Sequence, residues 1–178
     1  MPFYSYDYER LSRAASRLRE ERWKKHAPIP AFFTAEDNGE LGAAPPASFG
    51  PQEFHPGEIW SGYDRYLWLD ATVEVPQDFT GSLWGRFDFG TTGGGNNSGF
   101  ESLLYVDGHP YQGVDQNHQD VPLHTRPGQE LHLQFRLWSG LVGGGKPHPN
   151  DHKFQMAELA ILDEGADSLY YWLTCLLG

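Results

Sequence analysis

The densest run of chemically competent side chains is Tyr105–Val121, YVDGHPYQGVDQNHQDV, which holds His109, Asp115, Asn117, His118 and Asp120. Imidazoles and carboxylates this close could ligate a metal or exchange protons as a general acid and base. The same residues also fit a structural role. Asp107-Gly108 closes the apolar run SLLYV as a tight-turn signature, with Pro110 fixing the exit. Asp115, Asn117 and His118 then fall in an irregular segment, where short polar side chains satisfy backbone groups.

Other candidate motifs carry less. His148 and His152 in HPNDH stand four apart, the spacing of two metal ligands on one helical face, but Pro147 and Pro149 oppose a helix there. A structural zinc site also needs four ligands, and nothing in the spacing assembles the others, so no metal ligand is assigned. The glycine triplets Gly93–Gly95 and Gly143–Gly145 lack the following Lys-Ser/Thr of a phosphate loop and read as flexible hairpin loops. No GxSxG elbow occurs, and no catalytic residue is assigned.

The elements that must position these residues are mostly strands. In YLWLDATVEV the set Leu67, Leu69, Ala71, Val73 and Val75 alternates with Tyr66, Trp68, Asp70, Thr72 and Glu74. SLWGRFDFG sets Leu83, Gly85, Phe87 and Phe89 against Trp84, Arg86 and Asp88, and ELHLQFRLW sets Leu131, Leu133, Phe135 and Leu137 against His132, Gln134, Arg136 and Trp138. With SLLYV and FQMAELAILD, these runs predict a mainly β protein, an antiparallel, jelly-roll-like β-sandwich. Tyr8, Leu11, Ala15 and Leu18 recur every three or four residues and predict an amphipathic helix within residues 1–27. Residues 28–50 are rich in Pro, Gly and Ala and read as an extended crossing segment, residues 51–163 as the sandwich, and 164–178 as the start of a helix capped by Asp163.

Composition narrows the function classes. The net charge is −11, yet residues 1–27 carry seven basic residues against four acids, a balance of +3 that leaves −14 on the remainder. So acidic a body disfavours a nucleic-acid partner, and the basic helix is expected to dock on an acidic surface of its own chain. No run approaches the ~20 apolar residues of a membrane span, and no signal peptide is visible, so a soluble, cytoplasmic protein is expected. The single Cys175 permits no internal disulfide and reads as a packing residue in the closing helix.

Trp68, Trp84 and Trp138 all fall on the more polar side of their strands. If those strands are neighbours, they form one aromatic face. Two readings stay open: the face is covered by the N-terminal helix or a further domain, as the rarity of large exposed apolar patches favours, or it is a platform on which sugar rings stack.

The Tyr105–His118 run resembles the YVDG-x-P-x-QG-x-D-x-NH segment in the N-terminal domain of bacterial α-mannosidases of glycoside hydrolase family 38, relatives of the cytosolic α-mannosidases. The likeness extends to the order of pieces, from the basic leading helix through RYLWLDATVEVP and FTGSLWGRFDFG to AELAILDEGADSLYYWL. TTGGGNNSGFES is longer than the connection usual there, and residues 28–50 are richer in Pro. The resemblance implies a multidomain, retaining enzyme whose catalytic domain follows these residues and holds one zinc ion. This chain would then need no cofactor of its own and would have that domain as its partner, with α-mannoside glycans as substrates of the whole enzyme. Asp115, Asn117 and His118 would sit at the domain interface or substrate entrance. Homo-oligomerisation stays open.

Overall fold

A computed structural model describes residues 5–90, 100–141 and 146–178. In chain order the elements are α1 (Ser5–Glu21), β1 (Trp23–Pro28), β2 (Phe32–Asp37), β3 (Glu53–Phe54), β4 (Ile59–Gly62), β5 (Tyr66–Glu74), β6 (Ser82–Asp88) and β7 (Glu101–Val106). They continue with β8 (His109–Asp115), β9 (Asp120–Pro122), β10 (Glu130–Trp138), β11 (Asn150–Lys153), β12 (Met156–Leu162) and α2 (Glu164–Leu177). Strands pair as a four-stranded sheet, β1-β12-β6-β9, a six-stranded sheet, β3-β2-β5-β10-β7-β8, and a small β11-β4 pair. The mainly β, antiparallel sandwich expected from the alternating runs is the fold observed.

The two larger sheets turn their apolar sides toward each other. Leu67, Leu69 and Ala71 of β5 and Leu131, Leu133, Phe135 and Leu137 of β10 meet Leu83 and Phe87 of β6 and Ala157, Leu159 and Ile161 of β12 in one core. Phenylalanines lock its centre: Phe135 lies 4.7 Å from both Phe87 and Phe89, and Phe89 lies 5.2 Å from Phe154. Each such ring withdrawn from water contributes about 1.5–3 kcal/mol.

Several boundaries differ from the sequence expectation. The first helix stops at Glu21, and Trp23–Pro28 is an edge strand pairing Trp23 with Leu162. Its WKKHAP reads as polar because only Trp23 is buried. Within the supposed crossing segment, β2 pairs with β5 and buries Phe32, so the sandwich begins well before residue 51. The HPNDH region holds β11, where His152 opposes Trp60 of β4. Both glycine triplets lie outside the described residues.

The sheet edges are irregular. β1 shifts register between Lys24 and Ala27, β8 shifts against β7 at Leu104/Tyr105, and β3 and β9 have only two and three residues. α2 begins as predicted, with Asp163 Oδ1 accepting the Ala166 N–H at 3.0 Å. It packs on α1, and no residue of α2 is buried: Leu169, Trp172 and Leu176 form an outward apolar stripe, and Cys175 is exposed, not packed.

Candidate functional site

The Tyr105–Val121 run is a hairpin followed by a polar loop. Asp107 and Gly108 adopt φ of 52° and 77°, the left-handed pair that a two-residue hairpin turn demands. The Asp107 N–H donates to the His132 carbonyl at 2.9 Å, and Asp107 Oδ1 accepts the His132 N–H at 3.1 Å. The turn therefore grips β10. After β8, Asp115 Oδ1 accepts the N–H groups of Asn117 (2.7 Å) and His118 (2.9 Å), and His118 Nδ1 donates to the same carboxylate at 3.0 Å. Burial pushes the Asp115 carboxyl up, but these hydrogen bonds outweigh it and hold it below the ordinary range.

The three tryptophans do not share a face. Register places Trp84 on the outer side of the four-stranded sheet, opposite Ala160 and Pro122. Trp68 and Trp138 lie on the outer side of the six-stranded sheet, opposite Arg136 and Tyr66. Periodicity tells which residues share a side of a strand. It does not tell which strands become neighbours.

Around Trp84, the candidates from the loop and from the strand come together. Asn117, His118 and Trp84 line a cleft of about 280 Å³ with Arg22, Trp23, Asp120, Asp167 and Tyr171. Arg22, only 8% exposed, organises it. Its Nη1 donates to Asp167 Oδ1 at 2.7 Å and its Nη2 to Asp120 Oδ2 at 3.2 Å, which joins the end of α1 to α2 and β9. The guanidinium also lies 5.0 Å from Trp23 and 4.9 Å from Tyr170. Burial disfavours the charge on Arg22, but Asp167, Tyr171 and Asp120 outweigh that and raise its pKa. Beside it, Arg86 Nη1 donates to Glu158 Oε1 at 2.7 Å and its guanidinium lies 4.6 Å from the Trp23 ring. Among the described residues the helix itself does not make the expected contact with an acidic surface: Arg13 and Arg17 of α1 pair with Glu9 and Glu21 of the same helix, and it is Arg22 and Lys25, just beyond it, that reach Asp120, Asp167 and Asp78.

The opposite face is laid out in rows across its strands. Asp37, Tyr66, Trp138 and Glu101 make one, Ala35, Trp68, Arg136 and Leu103 the next, and Phe33, Asp70, Gln134 and Tyr105 a third. Residues 38–52 run back across this face from β2 to β3. Beneath them Trp68 is buried, and Arg136 donates from Nε to Asp37 Oδ2 at 2.7 Å. Burial pushes the Asp37 carboxyl up, but hydrogen bonds from Arg136, the Gly39 N–H and Trp68 hold it below the usual range. Two grooves flank the segment. One, about 370 Å³, includes Ala43, Tyr66, Tyr105, Arg136 and Trp138; the other, about 530 Å³, includes Phe33, Phe49, Asp70, His132 and Gln134. Asp70 and His132 are 62 positions apart, so only their shared polar alternation hinted at a site.

The fold links this architecture to solved structures. β-Glucuronidase from Ruminococcus gnavus in complex with D-glucaro-d-lactam matches with a TM-score of 0.51 at 12% identity, over 79% of this chain and 30% of that one. The same enzyme in complex with uronic isofagomine matches with a TM-score of 0.50 at 11% identity, over 78% and 29%. The chain shares its fold with part of these enzymes. It spans about 30% of their length. No protein-family model and no curated protein sequence matches it.

Among the described residues, no three or more His, Cys, Asp or Glu gather as a metal site, and no helix is long and apolar enough to cross a membrane. His152 is fully buried 4.5 Å from Trp60, with Nε2 donating to the Ser139 carbonyl at 2.9 Å. Burial lowers its pKa, which keeps the imidazole neutral.

Proposed function

We propose that this chain is an accessory, non-catalytic β-sandwich of a multidomain glycoside hydrolase, and more finely the N-terminal domain of a cytoplasmic, retaining, zinc-dependent α-mannosidase. The carrying observation is the Tyr105–His118 run, whose likeness to the family 38 segment coincides with a hairpin turn and an Asp115-centred loop. A fold shared with part of a glycoside hydrolase supports the coarser reading. The outward stripe of Leu169, Trp172 and Leu176 gives such a sandwich an apolar surface to set against a catalytic domain. Zinc and the nucleophile would belong to that domain, where the metal would orient sugar hydroxyls and help stabilise an oxocarbenium-like transition state. The test is hydrolysis of an aryl α-mannoside by the full-length gene product. Activity abolished by a chelator and restored by zinc is expected; absence of zinc-dependent turnover overturns the α-mannosidase reading.

A second reading, a carbohydrate-binding module working through an aromatic sheet face, is favoured by the groove at Tyr66 and Trp138, whose rings stack 6.4 Å apart. Mannose oligosaccharides titrated against tryptophan fluorescence would give a saturable change lost in Trp138→Ala; a flat titration removes it.

A further inference from the structure

We infer that the groove at Phe33, Asp70, His132 and Gln134 is a binding site for a neutral saccharide unit. This inference stands apart from the α-mannosidase reading.

The floor of the groove is one cross-strand row. Phe33 of β2 opposes Asp70 of β5, and Asp70 opposes Gln134 of β10, so a ring, a carboxylate and an amide stand side by side on one sheet surface. His132 is two residues from Gln134 along β10, on the same side. The polar groups are already ordered: Asp70 Oδ1 accepts from His132 Nε2 at 2.6 Å and from Gln134 Nε2 at 3.0 Å. The Asp107 turn fixes the backbone of His132 from the other side. No hydrogen bond to Asp70 Oδ2 is made among the described residues, although the Asp70 side chain is only 17% exposed. A half-buried carboxylate oxygen with spare acceptor capacity, at the base of an open groove, is placed to receive a hydroxyl proton.

The wall is rigid and apolar. It runs from Pro46 through Phe49 to Pro51, and the Gly50 N–H and Thr34 N–H, bonded to Thr34 O at 3.0 Å and Gln52 O at 3.2 Å, pin it to β2. Prolines at both ends limit its backbone freedom. Phe33, 43% exposed, stands against this wall, and among the described residues it is the phenylalanine left open to solvent.

These features select the ligand class. Hydroxyl groups both donate and accept, so neighbouring hydroxyls on a ring could donate to Asp70 and accept from the second N–H of Gln134 Nε2. The C–H face of the same ring packs on an aromatic side chain, whose face carries negative charge. An anionic sugar would meet the Asp70 carboxylate in a chain of net charge −11, which disfavours uronates and phosphosugars. The volume, about 530 Å³, falls in the ~300–1,000 Å³ range of small-molecule sites.

The test is a titration of the chain, followed by amide NMR, with methyl α-mannoside, methyl β-glucoside and glucuronic acid. Saturable shifts are expected with at least one neutral glycoside, confined to residues around 33, 46–51, 70 and 132–134, and none with glucuronic acid. Asp70→Asn and Phe33→Ala should each weaken binding about tenfold, as loss of one charged hydrogen bond or one stacking ring implies. Phe33 lies outside the core, so Phe33→Ala decides the matter should Asp70→Asn fail to fold. Absence of saturable shifts with both neutral glycosides overturns the inference. So do shifts centred on Tyr66 and Trp138, glucuronic acid binding as tightly, or affinity unchanged in Phe33→Ala.

Discussion

The two outer faces of the sandwich start from the same kind of sequence and end differently. Each comes from strands whose polar side carries tryptophan, arginine and a carboxylate. On the four-stranded sheet these groups are closed into a clamp, with Arg22 and Arg86 held between Asp120, Asp167 and Glu158 and stacked on Trp23. On the six-stranded sheet only the centre is closed, at Trp68, Arg136 and Asp37, and the ground on either side of residues 38–52 stays open. The difference lies in what crosses each face. Arg22 ties the first to a pair of helices through Asp167 of α2; a single strap of chain crosses the second.

Substitutions that strand buried charge should break this contrast most strongly. Arg22→Ala leaves Asp120 and Asp167 without their shared cation, and the loss should be about 3 kcal/mol or more in urea unfolding. A loss no larger than that of a surface substitution would show that the clamp is not closed in solution. Arg136→Met tests the closed centre of the open face. The Asp37 side chain is 2% exposed, so stranding it should destabilise by about 2–3 kcal/mol. The sign with pH follows from Asp37 being held below its ordinary 3.8. Its stabilisation is complete above that value and is lost as pH falls through the lower folded-state value, so the variant should unfold at higher pH in acid titration.

His152, between the sheets, gives a smaller and separate pH effect. Its folded-state pKa is depressed below 6.5, so stability should hold above that pH and fall as pH drops from it toward the folded-state value. One proton limits the slope to about 1.4 kcal/mol per pH unit. Urea midpoints at pH 7.5, 6 and 5 measure it, and His152→Gln should flatten that part of the profile. The smallest changes belong to the open groove. Phe33→Ala and His132→Ala should alter stability by less than about 1 kcal/mol, since both side chains are partly exposed and neither belongs to the core. A larger loss would make that groove a packing surface.

Much of the frame was legible because it depends on local rules. Alternation located β5, β6 and β10 almost to the residue, Asp107-Gly108 marked its turn, and Asp163 marked its cap. Short strands without alternation were not legible. β1 shows the solvent its lysines, and β11 sits among prolines in HPNDHK. The sites were less legible still, because neighbourhood across a sheet is set by pairing. Trp84 looked equivalent to Trp68 and Trp138, yet β6 joins the other sheet. His118 and Asn117 stand out in a short polar run, but Arg22, which organises their cleft, resembles any other arginine of the basic segment. Asp70 met His132 only because β5 lies beside β10.

The irregular edges have a consequence for association. Four strands end the two larger sheets: β1, β9, β3 and β8. β1 is broken by a register shift beside its lysines, with Lys25 at a φ of 48°, and it ends in Pro28. β9 ends in Pro122, β3 is two residues long, and β8 carries Pro110 next to its own shift. Pro, Lys, brevity and bulges are the devices by which natural sheets refuse to template further strands. The sandwich is therefore guarded against growing edge to edge into β-aggregates, and a partner would meet it through a face or a helix, not by adding a strand.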